Sequence, residues 1–95
     1  MEWQSRKHLE DHFEQHGHEV GASSVEDYDA SAHAVLVSPT SHEFTYRDRT
    51  TDELRVGVYD PVSGMFTALS DDDRWIHSHM RTSQTYISFL RRYRG

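Results

Sequence analysis

The hydrophobic pattern of the chain changes its period at Pro39, and this change constrains the fold more than any other feature. Upstream of Pro39, apolar residues recur every three to four positions, as they do in amphipathic helices. Downstream, apolar and polar residues alternate in short stretches that turn-forming segments separate, as in half-buried strands. The sequence therefore predicts an α+β domain in which helices cover one face of an antiparallel sheet.

The elements of this domain can be placed approximately. We expect a first helix over residues 2–17 and a second helix that starts at a capping box formed by Ser23 and Glu26. Proline disfavours the helical backbone just before it, so the second helix should end before Pro39. Four strands of an antiparallel meander are predicted near residues 42–47, 53–59, 64–69 and 74–80, and a short helix within residues 83–95. The predicted core consists of Val25, Tyr28, Ala32, Val35, Leu36, Leu54, Val56, Val58, Phe66 and Ile76.

The size and composition of the chain limit the class of protein. Its 95 residues suit a single domain with one modest core. The absence of cysteine excludes disulfides and a thiolate zinc site. No apolar run reaches the roughly 18 residues of a membrane span, and the first residues lack an apolar signal region. We therefore expect a cytoplasmic protein, or a domain released from a larger one, with no membrane partner.

Charge is distributed unevenly along the chain. Residues 1–41 hold eight acids and two bases, whereas residues 42–95 hold eight acids and eight bases, all of them arginine. The net charge of −6 argues against a protein that coats nucleic acid nonspecifically. Arginine is the side chain that binds phosphate through two parallel hydrogen bonds, so the second half is compatible with a small phosphate site.

Four histidines lie within eleven residues, at positions 8, 12 and 16 of the first predicted helix and at position 18 just after it. On a helical wheel centred on Leu9, His16 falls on the apolar stripe, His12 at its edge and His8 towards solvent. A ring at such an edge is anchored and still wet, which suits proton transfer. We predict that His12 or His16 is catalytic, with His12 favoured, and that His8 and His18 are not.

Metal binding is an alternative use of these histidines. Two histidines four residues apart on a helix can share a zinc ion, and His77 and His79, which alternate onto one strand face, could complete a four-ligand site. Two features argue against zinc. In zinc proteases the glutamate directly follows the first histidine, whereas Phe13 follows His12 and the glutamate comes only at Glu14. The chain also contains no cysteine.

Short motifs in the strand region follow a recognisable order. They are Arg55, Tyr59-Asp60-Pro61, Phe66-Thr67, the acidic turn Asp71-Asp72-Asp73, and Ile76-His77-Ser78-His79-Met80, preceded by a His-bearing helix and by Ser24-Val25-Glu26-Asp27-Tyr28 with Ala32. From about His12 to Leu90, this order resembles the small bacterial and phage-associated ribonuclease toxins of the barnase–EndoU–colicin–RelE group. Ser78 and Met80 stand where that group usually has threonine and phenylalanine.

The resemblance implies one ribonuclease toxin domain over residues 1–95, acting on RNA without a cofactor and blocked by an antitoxin or immunity protein. Metal-independent RNA cleavage needs a base, an acid, a cation at the phosphate and a group that holds the nucleobase. Histidine suits both proton roles near neutral pH, and arginine suits the phosphate. The candidate catalytic residues are His12, His16, Arg55, Ser78, His79 and Tyr86, and the candidate substrate contacts are Tyr59, Thr67, Trp75 and Arg81.

Two points stay open on the sequence alone. Ser78 and His79 are adjacent, so a regular strand points them to opposite faces and only a bulge would re-aim one of them. Besides the ribonuclease, two other functions are compatible with these residues. One is a noncatalytic protein- or RNA-binding module of the same fold, and the other is a small zinc-binding domain.

Overall fold

A computed structural model describes residues 1–72 and 74–93 and has an α+β architecture. The strands are β1 (Glu2–Trp3), β2 (His42–Arg47), β3 (Leu54–Asp60), β4 (Met65–Ser70) and β5 (Trp75–Arg81). The helices are α1 (Arg6–His16), α2 (Val25–Val37) and α3 (Gln84–Arg92), with a short 3-10 helix (Gly17–Val20) after α1. In the described part of the chain, no helix has the length and apolar character needed to cross a membrane.

The strands form one mixed sheet of order β1-β5-β4-β3-β2. The last four strands pair antiparallel, as expected, but β1 adds a fifth strand that runs parallel to β5, with Trp3 opposite Ile76. The prediction of a helix from residue 2 is therefore wrong at its start. Ser5 caps α1 by accepting a hydrogen bond from the His8 amide, which places the first helical residue at Arg6 and leaves Glu2 and Trp3 extended.

The second helix begins one residue later than the predicted capping box. Ser24 has an extended backbone, and its hydroxyl oxygen accepts a hydrogen bond of 3.1 Å from the Asp27 amide, so it is the N-cap. Ser23 instead donates a hydrogen bond of 2.7 Å to the Asp27 carboxylate. The box of Ser23 and Glu26 is thus wrong, although a cap does start the helix where the periodic apolar residues begin.

Helices cover both faces of the sheet, which corrects the expectation that they cover only one. Helices α1 and α2 pack on what we call the first face, and α3 packs on the second face. The first-face core contains Trp3, Leu9, Val20, Tyr28, Ala32, Val35, Val58, Leu69 and Ile76. The second-face core contains Phe44, Tyr46, Tyr59, Phe66, Ala68, Ile87 and Leu90. The short C-terminal helix thus closes a second core that the periodicity of the chain did not indicate.

Six of the ten predicted core residues are buried, and the exceptions lie in α2 and β3. Leu54, the first residue of β3, is 43 % exposed. Val25, Leu36 and Val56 are half-buried and pack against the first-face core. Phe66 is buried as predicted, but in the second-face core.

Glycine at position 57 allows close packing on the second face. A Cβ atom there would lie 2.7 Å from the Phe44 ring and 2.7 Å from the Phe66 ring, closer than real Cβ atoms come. These two rings are stacked with their centroids 6.0 Å apart. Any larger residue at Gly57 must therefore displace an aromatic ring of the core.

Candidate functional site

A β-bulge in β5 determines where the site residues of that strand lie. Ser78 pairs with Ala68 and Ile76 pairs with Leu69, so His77 is an extra residue between them. Ser78 lines a cavity over the second face, whereas His79 is buried on the first face against α2. Ser78 and His79 therefore lie on opposite faces. The bulge also interrupts the regular alternation that would have placed His77 and His79 on the same face.

His79 is wholly buried in a network of neutral groups. Thr67 donates its hydroxyl proton to the Ala32 carbonyl, so it accepts a hydrogen bond of 3.0 Å from Nδ1 of His79. The Ser31 hydroxyl lies 2.7 Å from Nε2, and the Tyr28 hydroxyl donates to the His79 carbonyl. Burial lowers the pKa of His79 to about 4. The structure places His79 and Thr67 in the core, out of reach of a substrate.

Three histidine rings meet at the edge of β5, and we call them the edge histidine cluster: His8, His12 and His77. The His8 ring lies 4.3 Å from the His12 ring and 5.9 Å from the His77 ring, measured between centroids. Nε2 of His8 donates a hydrogen bond of 2.8 Å to the His77 carbonyl. His8 is therefore half-buried against the sheet, whereas the wheel directed it to solvent.

Two rings of this cluster, His12 and His77, are suited to accept a proton. Nδ1 of His12 donates a hydrogen bond of 3.0 Å to the His8 carbonyl, so its Nε2 carries the lone pair in the neutral ring. Within the described residues, every buried side-chain nitrogen or oxygen has a hydrogen-bond partner. Because Nε2 of His12 has no such partner among these residues, it is exposed to solvent. Burial lowers the pKa of His12, and burial together with the Arg55 charge lowers that of His77.

Arg55 connects the edge histidine cluster to the second face. It belongs to β3, where it lies opposite Ser70 of β4, and its side chain is only 11 % exposed. One guanidinium nitrogen donates a hydrogen bond of 2.7 Å to the Glu53 carboxylate. After burial, the positive charge of Arg55 is the next cause of the lowered pKa of His77. The same charge opposes the increase that burial causes in the pKa of Tyr46.

Beyond Arg55, a cavity of about 190 Å³ lies between β5, the β2–β3 loop and α3. We call this cavity the hydroxyl pocket, and its polar lining is Tyr46, Asp48, Arg49, Thr50, Ser78 and Tyr86. The Asp48 carboxylate accepts hydrogen bonds from the backbone amides of its own loop. Burial raises the pKa of Tyr46, so its hydroxyl stays protonated at neutral pH and can donate a hydrogen bond. The pocket thus brings together Ser78 and Tyr86, two of the residues predicted from the sequence, and Arg55 lies next to it as the cross-strand partner of Tyr46.

The other predicted site residues lie elsewhere. His16 bonds the Glu19 carboxylate through Nδ1 at 2.9 Å, although its ring is only 6.2 Å from that of His12. Arg81 donates to the backbone carbonyls of Glu19 and Ser63. Tyr59 is buried in the second-face core. Trp75 is half-buried, lies beneath the Arg74 guanidinium and lines a cavity next to Arg55.

Sequence reasoning missed His77, His8, Tyr46 and Arg49 as site residues. The signal for His77 was present in the paired histidines of β5, but the bulge that re-aims it could not be read from the sequence. The acidic turn of the motif order is described only in part, because Asp73 lies outside the described residues.

Among the described residues, no group of three or more His, Asp or Glu side chains is arranged to hold a metal ion. No protein-family model matches the chain, and no curated protein matches its sequence at a significant level.

Proposed function

We propose that this domain is a metal-independent endoribonuclease whose reaction centre runs from the edge histidine cluster through Arg55 to the hydroxyl pocket. One observation carries the proposal: a buried arginine lies between histidines whose pKa values favour the neutral form and a cavity lined by hydroxyl groups. This set contains a base, a phosphate-binding cation and hydroxyl donors. The resemblance of the sequence motifs to ribonuclease toxins supports the same activity.

The proposed reaction is an internal transfer of the phosphoryl group. The 2′-oxygen of a ribose attacks the adjacent phosphorus, and the bond from phosphorus to the 5′-oxygen breaks, leaving a 2′,3′-cyclic phosphate and a 5′-hydroxyl. His77 accepts the proton of the 2′-hydroxyl, since its lowered pKa keeps the ring neutral near pH 7. Arg55 stabilises the negative charge on the phosphate oxygens.

The leaving 5′-oxygen must receive a proton when its bond to phosphorus breaks. We assign this role to the Tyr86 hydroxyl, which lines the hydroxyl pocket on a partly exposed helix and can meet a substrate. Ser78 and Tyr46 then donate hydrogen bonds to the phosphate. His12, whose open Nε2 made it the first choice from the sequence, is the second candidate for the base and lies across His8 from His77.

A noncatalytic RNA-binding module is the second candidate function, and the Arg55–Glu53 ion pair favours it. This pair occupies one side of the guanidinium that the reaction would need for a phosphate. A phosphate would have to displace Glu53 or bind the nitrogens that Glu53 leaves open. Binding without cleavage would follow if Glu53 keeps its place.

The decisive assay incubates the protein with 5′-labelled single-stranded RNA in excess EDTA. We expect fragments that end in 2′,3′-cyclic phosphate, because the attacking group is the 2′-oxygen. A matched substrate with a single 2′-deoxynucleotide should lose the cut at that position and keep the others. Cleavage that EDTA abolishes would contradict the metal-independent mechanism, and RNA that is bound but intact would favour the binding module.

We further propose an antitoxin or immunity protein as the natural partner, because an active intracellular ribonuclease would damage its own host. The tagged domain purified from its native host should retain a protein that inhibits cleavage of the labelled RNA. Recovery of the domain with no bound protein would count against such a partner. The cytoplasmic location expected from the sequence stays a prediction.

A further inference from the structure

Helix α3 exposes two aromatic rings beside the hydroxyl pocket. Tyr86 and Phe89 are 36 % and 37 % exposed, whereas Ile87 and Leu90 of the same helix are buried on the sheet. The two exposed rings are stacked at 24° with their centroids 6.5 Å apart. Neighbouring aromatic rings that the core leaves partly exposed offer a surface on which a planar ligand can stack.

An arginine from the β2–β3 loop is held against this surface. The guanidinium carbon of Arg49 lies 5.0 Å from the centroid of the Phe89 ring, a cation–π contact. Arg92 at the end of α3 is also exposed. We call Arg49, Tyr86, Phe89 and Arg92 the aromatic–arginine patch.

The charge of this part of the chain is opposite to that of the rest. Residues 74–95 contain five arginines and no Asp or Glu, while residues 1–41 carry a net charge of −6. Tyr86, Phe89 and Arg92 of the patch lie in this cationic segment, whereas Arg49 comes from the β2–β3 loop, where Asp48 lies next to it. An anionic ligand would be directed to this patch and away from α1 and α2.

We propose that the aromatic–arginine patch binds unpaired bases of single-stranded RNA and leads the strand into the hydroxyl pocket. Exposed aromatic rings stack on bases of any sequence, and arginines beside them bind the phosphates, which is how proteins hold single strands. A duplex would not fit, because its bases are already stacked on one another. Tyr86 and Arg49 belong to both the patch and the pocket, so a bound strand passes from one to the other. This inference rests on the proposed ribonuclease function for its substrate.

The test measures binding without cleavage. Fluorescence anisotropy with a labelled 2′-O-methyl oligoribonucleotide reports binding alone, because the blocked 2′-oxygen cannot attack the phosphate. Phe89→Ala should weaken binding by about 5- to 150-fold, the usual cost of losing one stacking ring. Phe89→Trp should restore it, whereas Phe89→Leu, which keeps apolar bulk without a ring, should not. Val37→Ala, at an apolar residue of α2 that is 81 % exposed, is the matched control and should bind as the unmodified protein does.

A second variant tests the charge of the patch. Arg49→Gln should reduce the dependence of binding on salt by about one phosphate contact. Binding that Phe89→Ala leaves unchanged, equal binding of a duplex of the same sequence, or no binding by the unmodified protein would each overturn the patch. The two proposals fail separately. Binding through the patch with intact RNA would refute the ribonuclease alone, and cleavage whose KM is unchanged in Phe89→Ala would refute the patch alone.

Discussion

Acid should destabilise this domain through one buried histidine, His79. Its two ring nitrogens bond to the Ser31 and Thr67 hydroxyls, and among the described residues no carboxylate bonds to either of them. Burial lowers its pKa in the folded protein from 6.5 to about 4. The unfolded chain therefore binds a proton on this residue more readily than the native protein does, so protonation favours unfolding.

The size of the effect follows from that difference in pKa. Each pH unit between the two values corresponds to about 1.4 kcal/mol, so the fall from 6.5 to about 4 makes about 3 kcal/mol. This stability is fully present above pH 6.5 and is lost as the pH falls towards 4. Because small domains are stable by only about 5–15 kcal/mol, the loss should be easily measured.

Urea unfolding followed by tryptophan fluorescence at pH 7 and pH 4 checks this expectation. His12 and His77 also have lowered pKa values and act in the same direction, so the unmodified protein must be compared with His79→Gln. The variant loses the titrating ring and should be less stable at pH 7 by about 1–3 kcal/mol, the cost of disturbing buried hydrogen bonds. Its disadvantage should shrink by about 3 kcal/mol at pH 4.

An equal fall in the free energy of unfolding of the two proteins between pH 7 and pH 4 would refute this role of His79. Should His79→Gln fail to fold, the NMR signal of the His79 ring in the unmodified protein gives the same information. That signal should show no titration near pH 6.5, and a midpoint there would contradict the buried network.

Three further predictions concern the site and the packing around it. Arg55→Gln should slow cleavage of labelled RNA by about 10²-fold, whereas the exposed Arg74→Gln should not, and equal rates for both variants would remove Arg55 from the reaction. Gly57→Ala should destabilise the domain to urea by about 1–3 kcal/mol, because the new methyl group meets two aromatic rings, and an unchanged midpoint would show that these rings can move apart. Ser24→Ala should cost about 1 kcal/mol in the same assay and Ser23→Ala much less, since only Ser24 caps α2, so the reverse order would contradict the cap.

Local patterns predicted the elements well because each of them depends on neighbours in sequence. The alternation after Pro39 indicated four antiparallel strands, and the structure has all four in that order. The strand at Glu2–Trp3 was missed because two residues carry no period, and only pairing with the distant β5 makes them a strand. The second core was missed because the burial of β2 depends on α3, which packs on it from the far end of the chain.

The site was predicted less well than the fold, and the bulge in β5 explains much of the difference. Alternation alone could separate Ser78 from His79, but it could not show that His79 is a core residue or that the His77 ring packs against His8. The wheel for α1 likewise placed His8 in solvent, because a helical wheel does not include the neighbouring strand. Beyond its pairing with β1, the edge of β5 lies beside the helix. The carbonyl of His77 at that edge is what holds the His8 ring.

The position of the reaction centre is tested most directly by the cleavage rate of His77→Ala. Rates on 5′-labelled RNA in EDTA should be compared with those of His18→Ala, which replaces an exposed histidine outside the edge cluster. With native circular dichroism in both variants, His77→Ala should cleave about 10²- to 10⁴-fold more slowly, and His18→Ala at the rate of the unmodified protein. Equal rates for the unmodified protein and His77→Ala would contradict a reaction centre at the edge of β5.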